Sequence, residues 1–261
     1  MKVRIAGIQM DVYTGYVDDN LKRAARLVDQ AAKFNPNFVI FPEMFATGFA
    51  FNELTLFAEK YKETFEVFFK KCAAQTSAYI IGGSIPEVDG GKLYNTCFIY
   101  SPEGEKVARY RKVHPFPLTG EDQFFEHGKE LLVLPTPYGK ISVAICYDLR
   151  FPELIRAKTL KGAEILFVPS QFPKPRDDHW EIVLRARAIE NQIFVIGVNR
   201  IGGKRLKHFG KSLAIDPMGK IISKLGEREG VLKAEIDTAD INRIRELMPH
   251  LKHRKPHVYN S

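Results

Sequence analysis

Long apolar runs are missing from this sequence of 261 residues. A helix that crosses a bilayer needs about 20 consecutive apolar residues, and no run of the chain approaches that length. The N-terminus, MKVRIAGIQM, lacks the long apolar stretch and the small-residue cleavage site of a signal peptide, and it is typical of a first β-strand. We therefore expect a cytoplasmic protein with no membrane partner.

Cysteine is scarce as well. The chain has three cysteines, Cys72, Cys97 and Cys146, which are far apart and form no C-x-x-C pair. An odd number of separated cysteines argues against a disulfide framework and against a structural zinc site, and no two histidines have metal-ligand spacing. Cys72 lies in a helical pattern and Cys97 in a strand-like pattern, so we interpret both as small buried apolar residues.

Signatures of nucleic-acid binding are also missing, although the formal net charge is +8. The basic residues are dispersed apart from the C-terminal LKHRKPH, and there is no helix-turn-helix, zinc finger or aromatic-plus-basic stacking pattern. Dispersed basic charge more often favours solubility or a mild attraction for anionic ligands. We therefore expect no nucleic-acid partner.

What the sequence does contain is a regular succession of strand and helix patterns. Apolar runs such as VRIAGIQM, FVIFPE, EILFVPS and IFVIGVNR alternate with helical patterns. Neighbouring runs around the turns SPEG and PYGK have the form of hairpins. This mixture favours an α/β fold with a mixed sheet, or with two sheets packed face to face under helices, over a purely parallel sheet. Without a repeat or linker, residues 1–261 are expected to form a single domain.

Three strongly apolar strands end in polar residues. FVIFPEM carries Glu43, VARYRK ends at Lys112, and SVAIC ends at Cys146, which is followed by a cluster of charged residues. Each residue alone has a structural explanation, as a helix-capping carboxylate, a solvated cation or a buried thiol. An unpaired charge at the end of a buried strand costs on the order of several kcal/mol, so we expect the charges to be paired. Strand ends are also where ligand sites of α/β proteins tend to form.

The segments FPEM, RYRKVH and CYDLRFPEL, in this order, resemble the three signature segments of the nitrilase, or carbon–nitrogen hydrolase, superfamily. The resemblance implies a four-layer α-β-β-α sandwich of two mixed sheets covered by helices, and a cofactor-independent enzyme. It also implies that the family's catalytic set falls on Glu43, Lys112 and Cys146. The family's additional active-site glutamate falls on Glu121 in LTGEDQFFEHG.

The chemistry of these residue types agrees with that implication. A free thiol has a pKa of about 8.5 and needs a base or a cationic setting to attack a carbonyl. Glu43 can take the thiol proton, and Lys112 can stabilise the oxyanion together with the backbone N–H of Tyr147. Glu121 can position the substrate amide or leaving ammonia, or hold Lys112 in place. A helix N-terminus after Cys146 would favour the thiolate.

Two other arrangements compete for the polar residues near these strand ends. His114 and His127 are candidates for a Cys–His pair, which we consider the weaker alternative because His114 lies beside Lys112 and His127 lies in the loop. Asp148 and Arg150 can contact substrate, but a mutual or inter-element ion pair that braces the turn is the favoured interpretation.

The segment PSQFPKPRDDHWEIVLRARAIENQIFVIGVNR resembles that of ω-amidase-like family members. This resemblance implies hydrolysis of the terminal amide of short 2-oxo dicarboxylic acid amides, such as 2-oxoglutaramate and 2-oxosuccinamate. Arginine grips a carboxylate bidentately, and aromatic side chains can wall a pocket. The candidate substrate-binding residues are Phe116, Arg150, Phe172 and Arg176, with Trp180 interpreted as a core residue. The alternatives are another aliphatic amidase or N-carbamoyl amidohydrolase, or a non-catalytic basic binding protein.

Part of the same segment, HWEIVLRARAIENQ, resembles a helix that this family uses in dimerisation. The tail at residues 246–261 has too few apolar residues to fold alone. We therefore expect a homodimer in which this tail docks on the partner subunit.

Overall fold

A computed structural model describes residues 1–203 and 206–259 of the chain. Its strands are β1 (Lys2–Gln9), β2 (Phe38–Ile40), β3 (Tyr79–Ile81), β4 (Ile85–Asp89), β5 (Lys92–Tyr100), β6 (Lys106–Arg111), β7 (Leu134–Thr136), β8 (Gly139–Val143), β9 (Ile165–Ser170), β10 (Phe194–Asn199), β11 (Ile201–Gly202), β12 (His208–Phe209), β13 (Leu213–Ile215), β14 (Ile221–Lys224) and β15 (Gly230–Asp237). Its α-helices are α1 (Val17–Ala32), α2 (Leu54–Lys60), α3 (Lys62–Thr76), α4 (Pro152–Leu160), α5 (Asp177–Asn191), α6 (Ala239–Leu247) and α7 (Pro256–Tyr259).

The strands form two large mixed sheets and one small ribbon. In the first sheet the order is β15-β1-β2-β3-β5-β4, with β6 also paired to β5. In the second sheet the order is β14-β13-β10-β9-β8-β7, and β11 pairs with β12. The central strands run parallel, whereas β5–β6 and β7–β8 are antiparallel pairs around the turns predicted from the sequence. The expected hairpins are therefore confirmed.

The two sheets pack face to face, and helices cover both outer faces. In β1, Val3 and Ile5 belong to the core shared with the second sheet, whereas Ala6 and Ile8 pack with residues of α1 and α3. This alternation follows from the period of two residues in a strand. On the second sheet, α4 and α5 bury side chains such as Ile155 and Leu184. The α-β-β-α sandwich of two mixed sheets is confirmed.

The packing of the predicted apolar cysteines also agrees with the sequence. Cys72 on α3 and Cys97 on β5 are buried and free.

Within the described residues, no helix combines the length and the apolar character needed to span a bilayer. The cytoplasmic location stays a prediction.

A buried lysine links α4 to strands of both sheets. Lys158 on α4 is fully buried, and its Nζ donates a hydrogen bond of 2.8 Å to the carbonyl oxygen of Val143 on β8. The ammonium lies 3.9 Å from the ring centroid of Tyr110 on β6. Burial lowers the pKa of Lys158 to about 7, although the negative charge of Asp148 opposes this shift.

We expect the substitution Lys158→Met to change how stability depends on pH. Between about pH 7 and the pKa of an unfolded lysine, about 10.4, Lys158 is protonated in the unfolded wild type but neutral in the folded wild type. The unfolded state therefore binds one more proton, and wild-type stability rises with pH in this range. Methionine removes this contribution. Urea unfolding at pH 6 and pH 10 should show that the stability of the variant relative to wild type is higher at pH 6. The difference should be a few kcal/mol, because one pKa unit corresponds to about 1.4 kcal/mol.

The matched control is Lys22→Met, because Lys22 is an exposed lysine of another helix, α1. That variant should have a pH dependence parallel to that of wild type. Parallel curves for both variants would show that Lys158 does not carry a lowered pKa.

Candidate active site

The sequence-predicted site residues surround one cavity of about 500 Å³. The cavity lies where strand ends of the two sheets meet, because Glu43 and Lys112 follow β2 and β6 of the first sheet and Cys146 follows β8 of the second. The lining includes all of the predicted catalytic, oxyanion and substrate-binding residues: Glu43, Phe116, Lys112, Glu121, Cys146, Tyr147, Arg150, Phe172 and Arg176.

A buried ion cluster forms the floor of the cavity. The Nζ of Lys112 lies 2.7 Å from Glu43 Oε1, and it lies 2.9 and 2.7 Å from the Oε1 and Oε2 atoms of Glu121. All three side chains are at most 2% exposed. Burial alone would lower the pKa of Lys112, but the charges of Glu121 and Glu43 outweigh it and hold this pKa above its ordinary value. Lys112 is therefore a stable cation inside the protein.

Asn95 on β5 joins the two carboxylates of this cluster and was not among the residues predicted from the sequence. Its Nδ2 donates to Glu43 Oε1 at 3.0 Å and to Glu121 Oε1 at 2.9 Å. Its backbone carbonyl accepts the N–H of Lys112 at 2.9 Å. A buried amide in the apolar strand pattern LYNTCFIY is the signal that could have identified it, since buried amides need partners.

Glu43 is held from the second sheet as well. The backbone N–H of Gln171, which follows β9, donates to Glu43 Oε2 at 3.0 Å, and its Nε2 donates to the Glu43 carbonyl at 2.9 Å. Close packing fixes the preceding residue, because a Cβ at Gly83 would lie 2.2 Å from the carbonyl oxygen of Pro42. Gly83 also has a φ of +60°, which favours glycine. Glu43 is thus fixed by contacts from both sheets.

Every oxygen of the Glu121 carboxylate has two donors nearby. Oε1 accepts from Asn95 and Lys112, while Oε2 accepts from Lys112 and from the backbone N–H of Phe116 at 2.7 Å. Burial raises the pKa of Glu121, the opposing charge of Lys112 lowers it, and the charge of Glu43 raises it further. The geometry favours the role of holding Lys112 and the Phe116 segment over direct contact with substrate.

Cys146 begins the 3-10 turn Cys146–Arg150 and has a left-handed φ of 45°. Burial raises the pKa of its thiol well above the ordinary value, the charge of Glu43 raises it further, and Lys112 opposes the shift. α4 begins only at Pro152, so the helix N-terminus at Cys146 is that of the short 3-10 turn and not that of an α-helix. With its pKa raised, the Cys146 thiol stays protonated and shares the cavity with the Glu43 carboxylate.

Asp148 fixes the turn of Cys146 through hydrogen bonds to neighbouring segments. Its Oδ2 accepts from the Tyr110 hydroxyl at 2.7 Å and from the Ile145 N–H at 3.0 Å, and its Oδ1 lies 2.8 Å from His114 Nδ1. Asp148 thus contacts residues of other elements, as one interpretation of the sequence expected, whereas the mutual pair between Asp148 and Arg150 is not formed. His114 also stacks on Phe151, with ring centroids 3.6 Å apart.

The two histidines proposed for a Cys–His pair do not line the cavity of Cys146. His114 is directed to Asp148, and His127 lines a separate depression with Tyr94, Arg111 and Lys129. In the described part of the chain, no three His, Cys, Asp or Glu side chains are arranged to hold a metal ion. The geometry favours the Glu–Lys–Cys arrangement.

Two arginines and two aromatic rings form the wall of the cavity. The Arg150 guanidinium lies 5.4 Å from the ring centroid of Phe172, and that of Arg176 lies 5.6 Å from the ring centroid of Phe116. Neither arginine forms an ion pair with a carboxylate of residues 1–203 or 206–259. Trp180 is a core residue, as expected, because it is 1% exposed and its Nε1 donates to the Lys211 carbonyl.

Three comparisons with known proteins agree on the family. The sequence model described as Carbon-nitrogen hydrolase matches residues 4–246. The 2-oxoglutaramate amidase of Bacillus subtilis is 36% identical over 250 residues, 95% of this chain and 96% of that protein. The omega-amidase NIT2 of Mus musculus is 35% identical over 266 residues, 98% of this chain and 96% of that protein.

Among solved structures, a variant of the amidase from Nesterenkonia sp. AN1 is similar, with a TM-score of 0.84, 25% identity and coverage of 96% of both chains. That structure shows covalent addition of the acetamide moiety of fluoroacetamide at the active-site cysteine. The comparisons confirm the resemblance found in the sequence and exclude the non-catalytic alternative. The chain belongs to the carbon–nitrogen hydrolase family and is a hydrolase of carbon–nitrogen bonds other than peptide bonds.

Proposed function

We propose that the protein is an ω-amidase-type enzyme. It hydrolyses the terminal amide of a small carboxylate-bearing amide, of the 2-oxoglutaramate or 2-oxosuccinamate type, to the acid and ammonia through a cysteine thioester. The observation that carries this proposal is one cavity that holds Cys146, the Glu43–Lys112–Glu121 cluster and two arginines that have no carboxylate partner among the described residues. The names of the similar amidases support the same substrate class.

In the first half of the reaction, Glu43 accepts the Cys146 proton as Sγ attacks the amide carbon. Of the two Glu43 oxygens, Oε1 already accepts from Lys112 and Asn95, whereas within the described residues Oε2 accepts only from the Gln171 N–H. Oε2 therefore has a free lone pair and is the proton acceptor. Proton removal in step with attack suits a thiol whose pKa is raised by burial.

The tetrahedral oxyanion then receives hydrogen bonds from the Tyr147 N–H and from Lys112 Nζ, which turns to the oxyanion one of the two N–H groups that it otherwise donates to Glu121. When the carbon–nitrogen bond breaks, Glu43 returns the proton to nitrogen, ammonia leaves, and the acyl group stays on Sγ as a thioester. In the second half, Glu43 takes a proton from a water molecule, whose oxygen attacks the thioester carbon. The carbon–sulfur bond breaks, the thiolate regains its proton, and the acid is released.

We assign recognition of the substrate carboxylate to the arginine wall. Guanidinium binds carboxylate bidentately, and Arg150 and Arg176 both line the cavity. Phe116 and Phe172 place apolar surface against the carbon chain of a short substrate. A substrate with an amide at one end and a carboxylate at the other can thus reach Cys146 and an arginine in the same cavity.

Cys146→Ala should abolish ammonia release from the monoamides of glutarate and succinate, by about 10³-fold or more, because no other group of the site can form the thioester. An ammonia assay measures the loss, and circular dichroism checks the fold. The matched control is Cys72→Ala, which removes a buried thiol outside the cavity and should keep the activity. Release that survives Cys146→Ala would remove Cys146 as the nucleophile.

Arg150→Met and Arg176→Met should raise KM for glutarate monoamide by about 10- to 100-fold, because a hydrogen bond to a charged group contributes about 1.5–3 kcal/mol. KM for butyramide, which has no carboxylate, should change little. Arg109→Met is the control variant, since Arg109 is an exposed residue of β6 outside this cavity. Equal effects on the two substrates would contradict carboxylate binding by these arginines.

We also propose that the chain forms one hydrolase domain that assembles as a homodimer through α5 and the tail at residues 246–261. Ile182 and Ile189 on α5 are 64% and 46% exposed, and Leu247 and Met248 near the end of α6 are 78% and 51% exposed. Exposed apolar side chains on α5 and at the start of this tail favour burial against a partner. The last two residues of the tail, Asn260 and Ser261, lie outside the described residues.

Light scattering at micromolar concentration should give twice the chain mass of 29.7 kDa. Ile182→Lys should shift the protein toward the monomer, because it places a charge in the proposed interface. Val67→Lys, at an exposed apolar position of α3, is the matched control and should leave the mass unchanged. A monomer for wild type would contradict the proposal.

A further inference from the structure

We propose that Arg200 is a positioning residue for the base Glu43 and acts through Gln171. This inference rests on the proposed function, because it assigns a role in the reaction to a residue that does not touch the reacting atoms. It was not among the residues predicted from the sequence. Arg200 directly follows β10, and Gln171 directly follows the neighbouring parallel strand β9.

Gln171 contacts Glu43 at two points. Its backbone N–H donates to Oε2 of the carboxylate at 3.0 Å, and its side-chain Nε2 donates to the Glu43 carbonyl at 2.9 Å. The first contact sets the orientation of the carboxylate, and the second fixes the main chain that carries it. Gln171 therefore connects the second sheet to Glu43, the proposed base, on the first sheet.

Arg200 determines which way the Gln171 amide points. Its Nη1 donates to Gln171 Oε1 at 3.2 Å. A guanidinium has donors only, so it selects the oxygen end of the amide and leaves the nitrogen end for the Glu43 carbonyl. Without Arg200, the Gln171 oxygen loses this donor, so the side-chain amide that holds the Glu43 carbonyl is less firmly fixed.

Three further N–H donors of Arg200 bond to the protein as well. Nη2 donates to Asp11 Oδ1 at 3.0 Å and to the Val12 carbonyl at 2.5 Å, and Nε donates to the Ile201 carbonyl at 3.0 Å. The side chain is 3% exposed. Although Arg200 borders the cavity, these contacts distinguish it from Arg150 and Arg176, which have no carboxylate partner among the described residues.

The orientation of Glu43 matters because, among the contacts of residues 1–203 and 206–259, Oε2 is the carboxylate oxygen that keeps a lone pair free for the thiol proton. Proton transfer requires the two heavy atoms to come within about 2.6–3.2 Å of each other. A misplacement of about 1 Å costs about 100-fold in rate. Loosening of Gln171 should therefore slow the chemical steps without weakening substrate binding.

The test compares Arg200→Met, Gln171→Met and the double variant on glutarate monoamide and butyramide. Each single variant should lower kcat by about 10- to 100-fold on both substrates, with KM within about twofold. The double variant should be no slower than the slower single variant, because both changes remove the same connection. A higher KM for glutarate monoamide alone would make Arg200 a carboxylate ligand and overturn the proposal.

Asp11→Asn is the matched control, because it removes the ion pair of Arg200 but leaves Gln171 in place. It should keep kcat within about twofold of wild type. A loss of kcat equal to that of Arg200→Met would show that Arg200 only anchors the chain near Asp11, which would overturn the proposal. If Arg200→Met does not fold by circular dichroism, Gln171→Met carries the test.

Alkylation of Cys146 by iodoacetamide, followed by mass spectrometry, gives a readout that needs no amide hydrolysis. Cys72 and Cys97 are poor competitors because both are buried and neither lines the cavity that holds Glu43. Glu43→Gln gives the alkylation rate of Cys146 without the proposed base. Arg200→Met should slow alkylation by about tenfold or more, toward the rate of Glu43→Gln. If wild type hydrolyses no amide, the proposed function fails while this measurement still tests Arg200. Alkylation of Arg200→Met at the wild-type rate would overturn the inference.

Discussion

The site depends on one buried cation that is held between two buried carboxylates. Removing an ammonium and two carboxylates from water costs several kcal/mol for each ion, on the order of the whole stability of a domain when summed. Lys112 compensates this cost because its ammonium contacts Glu43 and Glu121 at hydrogen-bond distance. Asn95 adds a neutral donor between the two carboxylates, which limits their repulsion. The cluster has an excess of one negative charge.

Burial and the charge of this cluster together explain the raised pKa of the Cys146 thiol. A thiolate beside two carboxylates and one ammonium would add a further negative charge to a buried site, and burial together with Glu43 accordingly raises the pKa of Cys146. We propose that the site keeps the proton on sulfur until a substrate is bound. In the proposed mechanism, Glu43 then removes this proton in the same step in which the carbonyl oxygen acquires charge near Lys112, so that negative charge moves within the site and its total does not change.

The two-sheet architecture supports this chemistry because each sheet contributes a different part. The first sheet carries Glu43 and Lys112, and the second carries Cys146, Gln171 and Arg200. The hydrogen bonds of Gln171 to Glu43 and of Asp148 to Tyr110 connect the two parts across the interface between the sheets. Buried hydrogen bonds of this kind define a single relative position of the sheets, which apolar packing alone specifies less strictly.

Local patterns in the sequence determined the strands, the hairpins, the apolar roles of Cys72 and Cys97, and the three polar strand ends. They could do so because alternation and turn chemistry are properties of short segments. The resemblance to the family then identified Glu43, Lys112, Cys146 and Glu121, which line one cavity in the structure. The wall residues Phe116, Arg150, Phe172 and Arg176 line the same cavity, although their positions in the sequence carry little signal of this.

Only the tertiary structure decided which partners these residues have. The bridge of Asn95, the chain from Arg200 through Gln171 to Glu43, and the preference of Asp148 for Tyr110 and His114 over Arg150 join residues that lie 26 to 128 positions apart. The raised pKa of Cys146 and the late start of α4 also differ from the local expectation. Hydrogen-bond partners and desolvation depend on which groups meet in space, and a local sequence pattern contains no information on that.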